Sequence, residues 1–421
     1  MPNLFRTYIL LAGAVCLTPG AAAGGDRNGE APHAGTGGVP QFDRDPAWPM
    51  LPAAWNRGAS VSDIKSDAQG NVWMITRPSA IPDSAAPASV PPPVLIFDRN
   101  GRYLRGWGGK DGPGYRWPSH EHDLELDGKG NVWIVGAAMK GRQDEHGDAL
   151  VPDSQILKFR TDGTFVMAIG QPGLDGSNRT HVPKGAAGLS YYAPTNELFV
   201  ADGYGNSRVI VFDADTGAFK RMWGAYGNPP LDEVDRRPAA PPPGARPAPL
   251  IWGQVAKRLQ QFATVHDVAV SKDGLVYVAD RGNRRVQVFT LAGEFVLERF
   301  VGLEIDFDLQ ARGLAFSPDE RFLYVGGTPG VFILNRRTLE ILGTLRSGPA
   351  NNHPPGHHIA TDGDGNLYLT STGIFDVNAA GTKSFGVVRY RLKGYSTTRP
   401  CCGPVDRLTL EDGGTPVRTA R

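Results

Sequence analysis

The chain repeats itself, and that constrains its fold more than any other feature. Four stretches align without gaps: "SDIKSDAQGNVWMIT" (62–76), "HDLELDGKGNVWIVG" (122–136), "HDVAVSKDGLVYVAD" (266–280) and "HHIATDGDGNLYLTS" (357–371). Each reads as a short alternating strand, an Asp/Gly turn and an aromatic-bearing strand. The turn glycines Gly70, Gly130, Gly274 and Gly365 all fall eight residues after the first letter. Asp-Gly and Gly-Asn turns between alternating apolar runs are strong hairpin signals. Looser copies, "GLSYYAPTNELFVAD" (188–202) and "RGLAFSPDERFLYVG" (312–326), fill the gaps. A third strand follows every hairpin, as in "VLIFDRNG", "RVIVFDADTG" and "RVQVFTLAG", and a fourth follows most, as in "RYLRGWGG" and "FVLERFVG".

Six units of four strands, at spacings varied by loops, cannot bury their faces singly. They do so by stacking around an axis, so the expected fold is all-β, a six-bladed β-propeller in one domain over 46–400. The sixth unit lacks a clear fourth strand after "RYRLKG". A strand near "WPMLPAAW" (48–55) would complete it and close the ring.

The ends read differently. Residues 1–23 have the form of a secretory signal, with Arg6, the apolar "YILLAGAVCL" and a small-residue "AAA" at 21–23. This places the protein outside the cytoplasm, secreted or periplasmic. The apolar run is too short to span a bilayer comfortably. Residues 24–45 read as a flexible leader, 227–250 as an extended Pro-rich insertion, and 401–421 as a polar tail. A formal net charge of +1 offers no field for nucleic acid or an anionic membrane. Beyond Cys16 of the signal only the adjacent Cys401 and Cys402 occur, so no disulfide framework exists.

Histidine opens the first strand in units two, four and six only, as His122, His266 and His357. The equivalent positions elsewhere are Ser62, about Gly188, and Arg312. Alternate blades of a six-bladed ring stand about 120° apart, and the first strand lines the channel. Three imidazoles would then converge on the axis, which suits a metal with a position left open for water or substrate, zinc or another divalent transition metal. Singly, each histidine reads as a strand-entry residue with a local hydrogen bond. It is the repetition that argues for a metal. His33, His146 and His181 lie outside the register and carry no role, whereas His120 and His353 are placed near the same rim as supporting groups.

The second strand runs antiparallel to the first, so residues just past its end share the rim with the histidines. These are Arg77, Tyr204 and Arg281. Arginine forms paired hydrogen bonds to carboxylate. A phenol beside a dication and arginines has its ionised form favoured and can act as a base. Arg312 also faces the channel mouth. Asp202 and Asp280, ending "VAD", are expected to hold turns.

These units resemble NHL repeats. The pair "VADGYGNSRVIVF" (200–212) and "VADRGNRRVQVF" (278–289) narrows the resemblance to the peptidyl-α-hydroxyglycine α-amidating lyases, over most of 57–395. That family consists of six-bladed propellers with a metal at the axis. The resemblance implies His122, His266 and His357 as zinc ligands, Tyr204 as base and Arg77 and Arg281 as substrate-binding residues. The implied reaction splits a C-terminal α-hydroxyglycine into peptide amide and glyoxylate. Two departures stand out. The family's aspartate after the third histidine, which contributes to a structural calcium, is His358 here, which disfavours calcium because hard cations need oxygen ligands. The family's methionine before that pair is replaced by Pro355 and Gly356.

The expected activity is therefore a zinc-dependent carbon–nitrogen lyase, acting as a monomer on a peptide or small molecule bearing a carboxylate. Two other classes compete. A non-catalytic NHL propeller would bind a protein or ligand on its rim and needs no convergent histidines. A propeller lactonase would hold its metal with carboxylates and amides, where the aligned positions here offer imidazole.

Overall fold

The computed structural model of the chain describes residues 38–55, 59–78, 90–141, 143, 149–232, 260–302, 311–327, 330–346, 356–372 and 385–396. These residues build six four-stranded antiparallel sheets, the blades. The first strands are Val61–Ser66, Glu121–Leu126, Gly188–Tyr192, Val265–Val270, Leu314–Phe316 and Ile359–Thr361. They meet one another around the axis, as the repeat requires.

The alternation within each strand explains the ring. In blade one, Val72 and Met74 pack into a cluster shared with blade six, which supplies Ala360, Tyr368 and Val387. Their neighbours Trp73 and Ile75 point the other way, into a cluster with Leu124, Val132 and Ile134 of blade two. Side chains one residue apart face opposite sides of a strand, so every blade has two apolar faces and needs a neighbour on each. Four further clusters join blades two to three, three to four, four to five and five to six.

The hairpin turns of blades one, two and six share one device. Oδ1 of Asp67, Asp127 and Asp362 accepts the backbone N–H two and four residues on, at 2.8–3.1 Å. Gly70, Gly130 and Gly365 have φ of 80°, 85° and 81°, a conformation glycine adopts without strain.

Closure differs from expectation. The outer strand of blade six is Val39–Asp45, paired along Val387–Ser396. It falls in the segment read as a leader, so the propeller begins before residue 46. Asp45 anchors it, accepting from Nε and Nη2 of Arg389 and from Arg391 Nε at 2.9 Å. Residues 48–55 form no such strand. Trp48 lies against Tyr368 with ring centres 4.9 Å apart, and Trp55 against Tyr103 at 4.8 Å, so the segment plugs the apolar seam between blades six and one. The misplacement has a plain cause: "VPQFDRD" alternates weakly, and only its distant partner strand makes it β.

Asp202 and Asp280 hold turns, as expected. Asp280 accepts from Asn283 Nδ2 at 2.7 Å, Arg285 Nε at 2.8 Å and the Ala263 N–H at 2.8 Å. Asp202 repeats the pattern with Asn206, Arg208 and the Lys184 N–H. Both Asp–Arg pairs are fully buried. Arg285→Ala should therefore cost about 3–5 kcal/mol, because it strands a buried carboxylate. Denaturant unfolding of the variant measures this, and a cost below about 1 kcal/mol would contradict it.

Glu197 gives a pH dependence. Burial opposes its ionisation, but a two-pronged bond from Arg221 (2.7 Å to each oxygen) and one from Lys220 (2.8 Å) outweigh burial and hold it at about 2. A depressed carboxyl contributes stability in full above its unfolded value of about 4.3 and loses it as pH falls through the folded value. Acid titration should therefore remove about 1–2 kcal/mol between roughly pH 5 and 2, less than the full shift because the partly exposed Lys220 and Arg221 are screened by solvent. Glu197→Gln should be less stable at neutral pH and lack that component of the titration.

Most of the Pro-rich insertion lies outside the described residues, as do His33, His146, His353, Cys401 and Cys402. His181 stacks on Phe219 at 3.6 Å. Among the described residues, no helix is long and apolar enough to cross a membrane.

Candidate metal centre

The inner strands carry a local irregularity that builds the site. In blades one, two and four the register jumps between Val61 and Asp63, Glu121 and Asp123, and Val265 and Asp267. The skipped residues are Ser62, His122 and His266. In blade six the His357 N–H donates to the Thr370 carbonyl while the Thr370 N–H donates to His358 O, again two residues against one. Such β-bulges break the strict alternation and let consecutive side chains turn to the same side. Blade five shows the same two-against-one pairing, the Arg312 N–H donating to Gly326 O and the Gly326 N–H to Gly313 O, and in blade three the Ala187 N–H donates to the carbonyl of Ala201, the partner of Gly188. Both blades have glycine beside the bulged pair of the next blade. A Cβ on Gly188 would stand 2.9 Å from Asp267 Cα, and one on Gly313 2.8 Å from His358 Cα.

The structure brings His122, His266 and His357 together, all buried. Each uses Nδ1 on a backbone carbonyl of the following blade. His122 reaches Ala187 O at 2.7 Å, His266 reaches Arg312 O at 3.1 Å, and His357 reaches Ser62 O at 2.8 Å. A carbonyl only accepts, so Nδ1 carries the proton and Nε2 presents a lone pair. Burial, then the charge of neighbouring histidine and arginine, holds all three well below the ordinary imidazole value. They are neutral, as metal ligands must be. The Nε2 of His266 is buried and makes no hydrogen bond among the described residues. An unsatisfied buried acceptor is costly unless something occupies it. The donor set of neutral imidazoles fits zinc or a comparable transition ion.

A fourth imidazole belongs to the group. A ring nitrogen of His358 lies within 4.8 Å of one from each of the other three. The sequence showed His358 only as a departure that disfavoured calcium. What it missed is that the bulge turns this side chain into the channel together with Asp63, Asp123 and Asp267. His358 Nδ1 stands 3.5, 3.3 and 3.8 Å from oxygens of those three carboxylates. Lys65 Nζ lies 3.2 Å from Asp63 and 3.9 Å from both Asp123 and Glu125. Burial, and then the charge of Asp63, raises Asp123 well above the usual carboxylate range, while burial pushes Asp267 and Glu125 to about 7. The expectation that channel positions offer imidazole instead of carboxylate thus holds for the rim layer alone. The repeated "SD", "HD", "HD" was the available signal.

The three rim residues fall as the hairpin geometry requires, past the ends of second strands. Tyr204 Oη donates to His122 Nε2 at 3.0 Å and accepts from Arg281 Nη1 at 3.2 Å. Arg77 Nε donates to the Glu121 carbonyl at 2.8 Å, beside His122. Arg77 and Arg281 both stand close enough to the imidazoles to depress their proton affinity. Arg312 contributes its carbonyl to His266 and its charge to His357. The His120 N–H binds Asp153 at 3.0 Å, and its charge is felt at His122.

Known proteins are similar to this chain over part of its length. The NHL repeat family description matches residues 262–289. The chain is 27% identical over 259 residues to peptidyl-glycine α-amidating monooxygenase B of Xenopus laevis, covering 59% of this chain and 24% of that protein. It is 26% identical to mouse NHL repeat-containing protein 3, covering 59% and 57%, and 26% identical to peptidyl-α-hydroxyglycine α-amidating lyase 2 of Drosophila melanogaster, covering 39% and 33%. The matches thus span about a quarter to under three-fifths of those relatives' own lengths. The chain is a six-bladed β-propeller with an NHL-repeat match at residues 262–289, and it is similar, at low identity, to amidating monooxygenases and lyases and to an NHL repeat-containing protein.

Proposed function

We propose that this protein is a metal-dependent carbon–nitrogen lyase that splits a C-terminal α-hydroxyglycine, or a closely related carboxylate substrate, into an amide and glyoxylate. The observation that carries the reading is the chain His122 Nε2–Tyr204 Oη–Arg281 Nη1, at 3.0 and 3.2 Å, beside a set of convergent buried imidazoles. It puts one proton-handling oxygen between the ion's ligands and a cation. His122, His266 and His357 would hold the ion. When bound, it supplies positive charge that draws electron density from the substrate oxygen beside it.

The remaining chemistry belongs to the side chains. Arg77 and Arg281 bind the substrate carboxylate and offset the charge that develops as the bond breaks. Tyr204, its own proton released to solvent, takes the substrate hydroxyl proton. The oxygen's electron pair forms the C=O of glyoxylate, and the C–N pair leaves with nitrogen. The proton returns from the phenol to that nitrogen, completing the amide with atoms and charge balanced.

Incubating the zinc-loaded protein with an α-hydroxyglycine peptide should yield glyoxylate and peptide amide in equal amounts, and chelation should stop it. A loaded, folded protein releasing no glyoxylate sinks this reaction. The rim-binding alternative draws on the NHL repeat-containing relative, and it predicts full ligand binding by the metal-free protein. Export to a secreted or periplasmic location is proposed from residues 1–23, and the N-terminal mass of the mature protein tests it.

A further inference from the structure

The six separations among the rings of His122, His266, His357 and His358 are 5.1, 4.9, 5.3, 4.8, 5.0 and 4.9 Å. Four points so nearly equidistant form a tetrahedron. With a metal–nitrogen distance of about 2.0–2.1 Å and a ring centre about 1.1 Å further out, four tetrahedral imidazoles stand about 5.2 Å apart. His358 therefore keeps the same spacing to the other three as they keep to one another.

Two other observations concern His358 alone. It is fully buried, and neither ring nitrogen makes a hydrogen bond among the described residues. Behind it, Nδ1 faces Asp63, Asp123 and Asp267 at 3.3–3.8 Å, and neither oxygen of Asp123 makes a hydrogen bond among the described residues. Carboxylates behind one ring nitrogen fix the tautomer of a metal-bound histidine and raise its basicity. For the other three histidines a backbone carbonyl takes that place.

We infer that His358 is a fourth nitrogen ligand, so that the centre is a four-imidazole cage held by blades two, four and six. Nε2 binds the ion and Nδ1–H faces the carboxylates. The inference rests on the metal reading of the site and not on the reaction. Substrate would then meet an ion already holding four nitrogens and would have to enter as a fifth ligand, an expansion open to zinc.

X-ray absorption on the zinc-loaded full-length protein, which counts coordinated imidazoles, should find four in the natural protein with one ion per chain. It should find three in His358→Ala. Titration with cobalt(II) should show His358→Ala binding more than about a hundredfold more weakly, since even residues behind a ligand are worth 10–100-fold. Asp123→Asn should lose affinity within that smaller range and keep four imidazoles. Three imidazoles in the natural protein, unchanged cobalt affinity in His358→Ala, or two ions per chain would overturn the inference. Two ions would instead assign His358 to a second ion with Asp63 and Asp123. If His358→Ala does not fold, the count in the natural protein decides alone. A protein that takes up no metal overturns both this inference and the metal reading, whereas three imidazoles with glyoxylate release leaves the proposed function standing.

Discussion

Changing His266 to alanine should strip the protein of metal and of turnover together. His266 is the clearest single test, because its Nδ1 is committed to Arg312 O and its Nε2 makes no hydrogen bond among the described residues. Loss of one ligand should weaken zinc binding by at least about a thousandfold, beyond the 10–100-fold attached to supporting residues. That is about 4 kcal/mol or more of binding free energy. The variant should fold, since removing one small ring from a polar channel leaves the six apolar seams between blades untouched. Metal analysis after dialysis, set beside the thermal midpoint of the metal-free form, reads both consequences. Unchanged zinc affinity with His266 absent would end the metal reading. His122→Ala and His357→Ala should behave alike, because the three occupy equivalent places in alternate blades.

Tyr204→Phe should do the opposite: keep the metal and lose the chemistry. The phenol oxygen now donates to the lone pair of His122 Nε2, at 3.0 Å. That nitrogen has one lone pair, so phenol and ion use it in turn. Removing the hydroxyl removes a competitor, and zinc content should stay complete. Turnover should fall by about 10²–10⁴, the usual worth of a positioned acid–base group. KM should change little if the arginines carry the carboxylate, and Arg77→Lys should show the converse, a raised KM. A Tyr204→Phe protein with undiminished kcat would remove the phenol from the mechanism and leave the metal and arginines to be explained anew.

Much of the candidate site was legible in the sequence, for definite reasons. The repeat assigns equivalent positions in equivalent units, so histidine in units two, four and six already meant convergence from three directions. Antiparallel hairpins put the end of one strand beside the start of its partner, which brought Tyr204, Arg77 and Arg281 to the same rim. His358 and the carboxylates behind it were not legible as a group. Under strict alternation, neighbours such as His122 and Asp123 face opposite sides of a strand, and only the bulges return both to the channel. Lys65, two residues beyond Asp63, has meaning only when that second layer exists.

What the sequence determined alone was the number of blades, the two-sided apolar faces that require a ring, and the turn chemistry that repeats with them. All of these depend on residues close together in the chain. Which strand closes the ring, how the register slips where the inner strands begin and which buried groups share the channel were decided by the tertiary structure. Each of those is a contact between residues far apart in sequence, as between Asp45 and Arg389, or His357 and Ser62. Local pattern sets which side of a strand is apolar. Only the closed ring sets what the polar side meets.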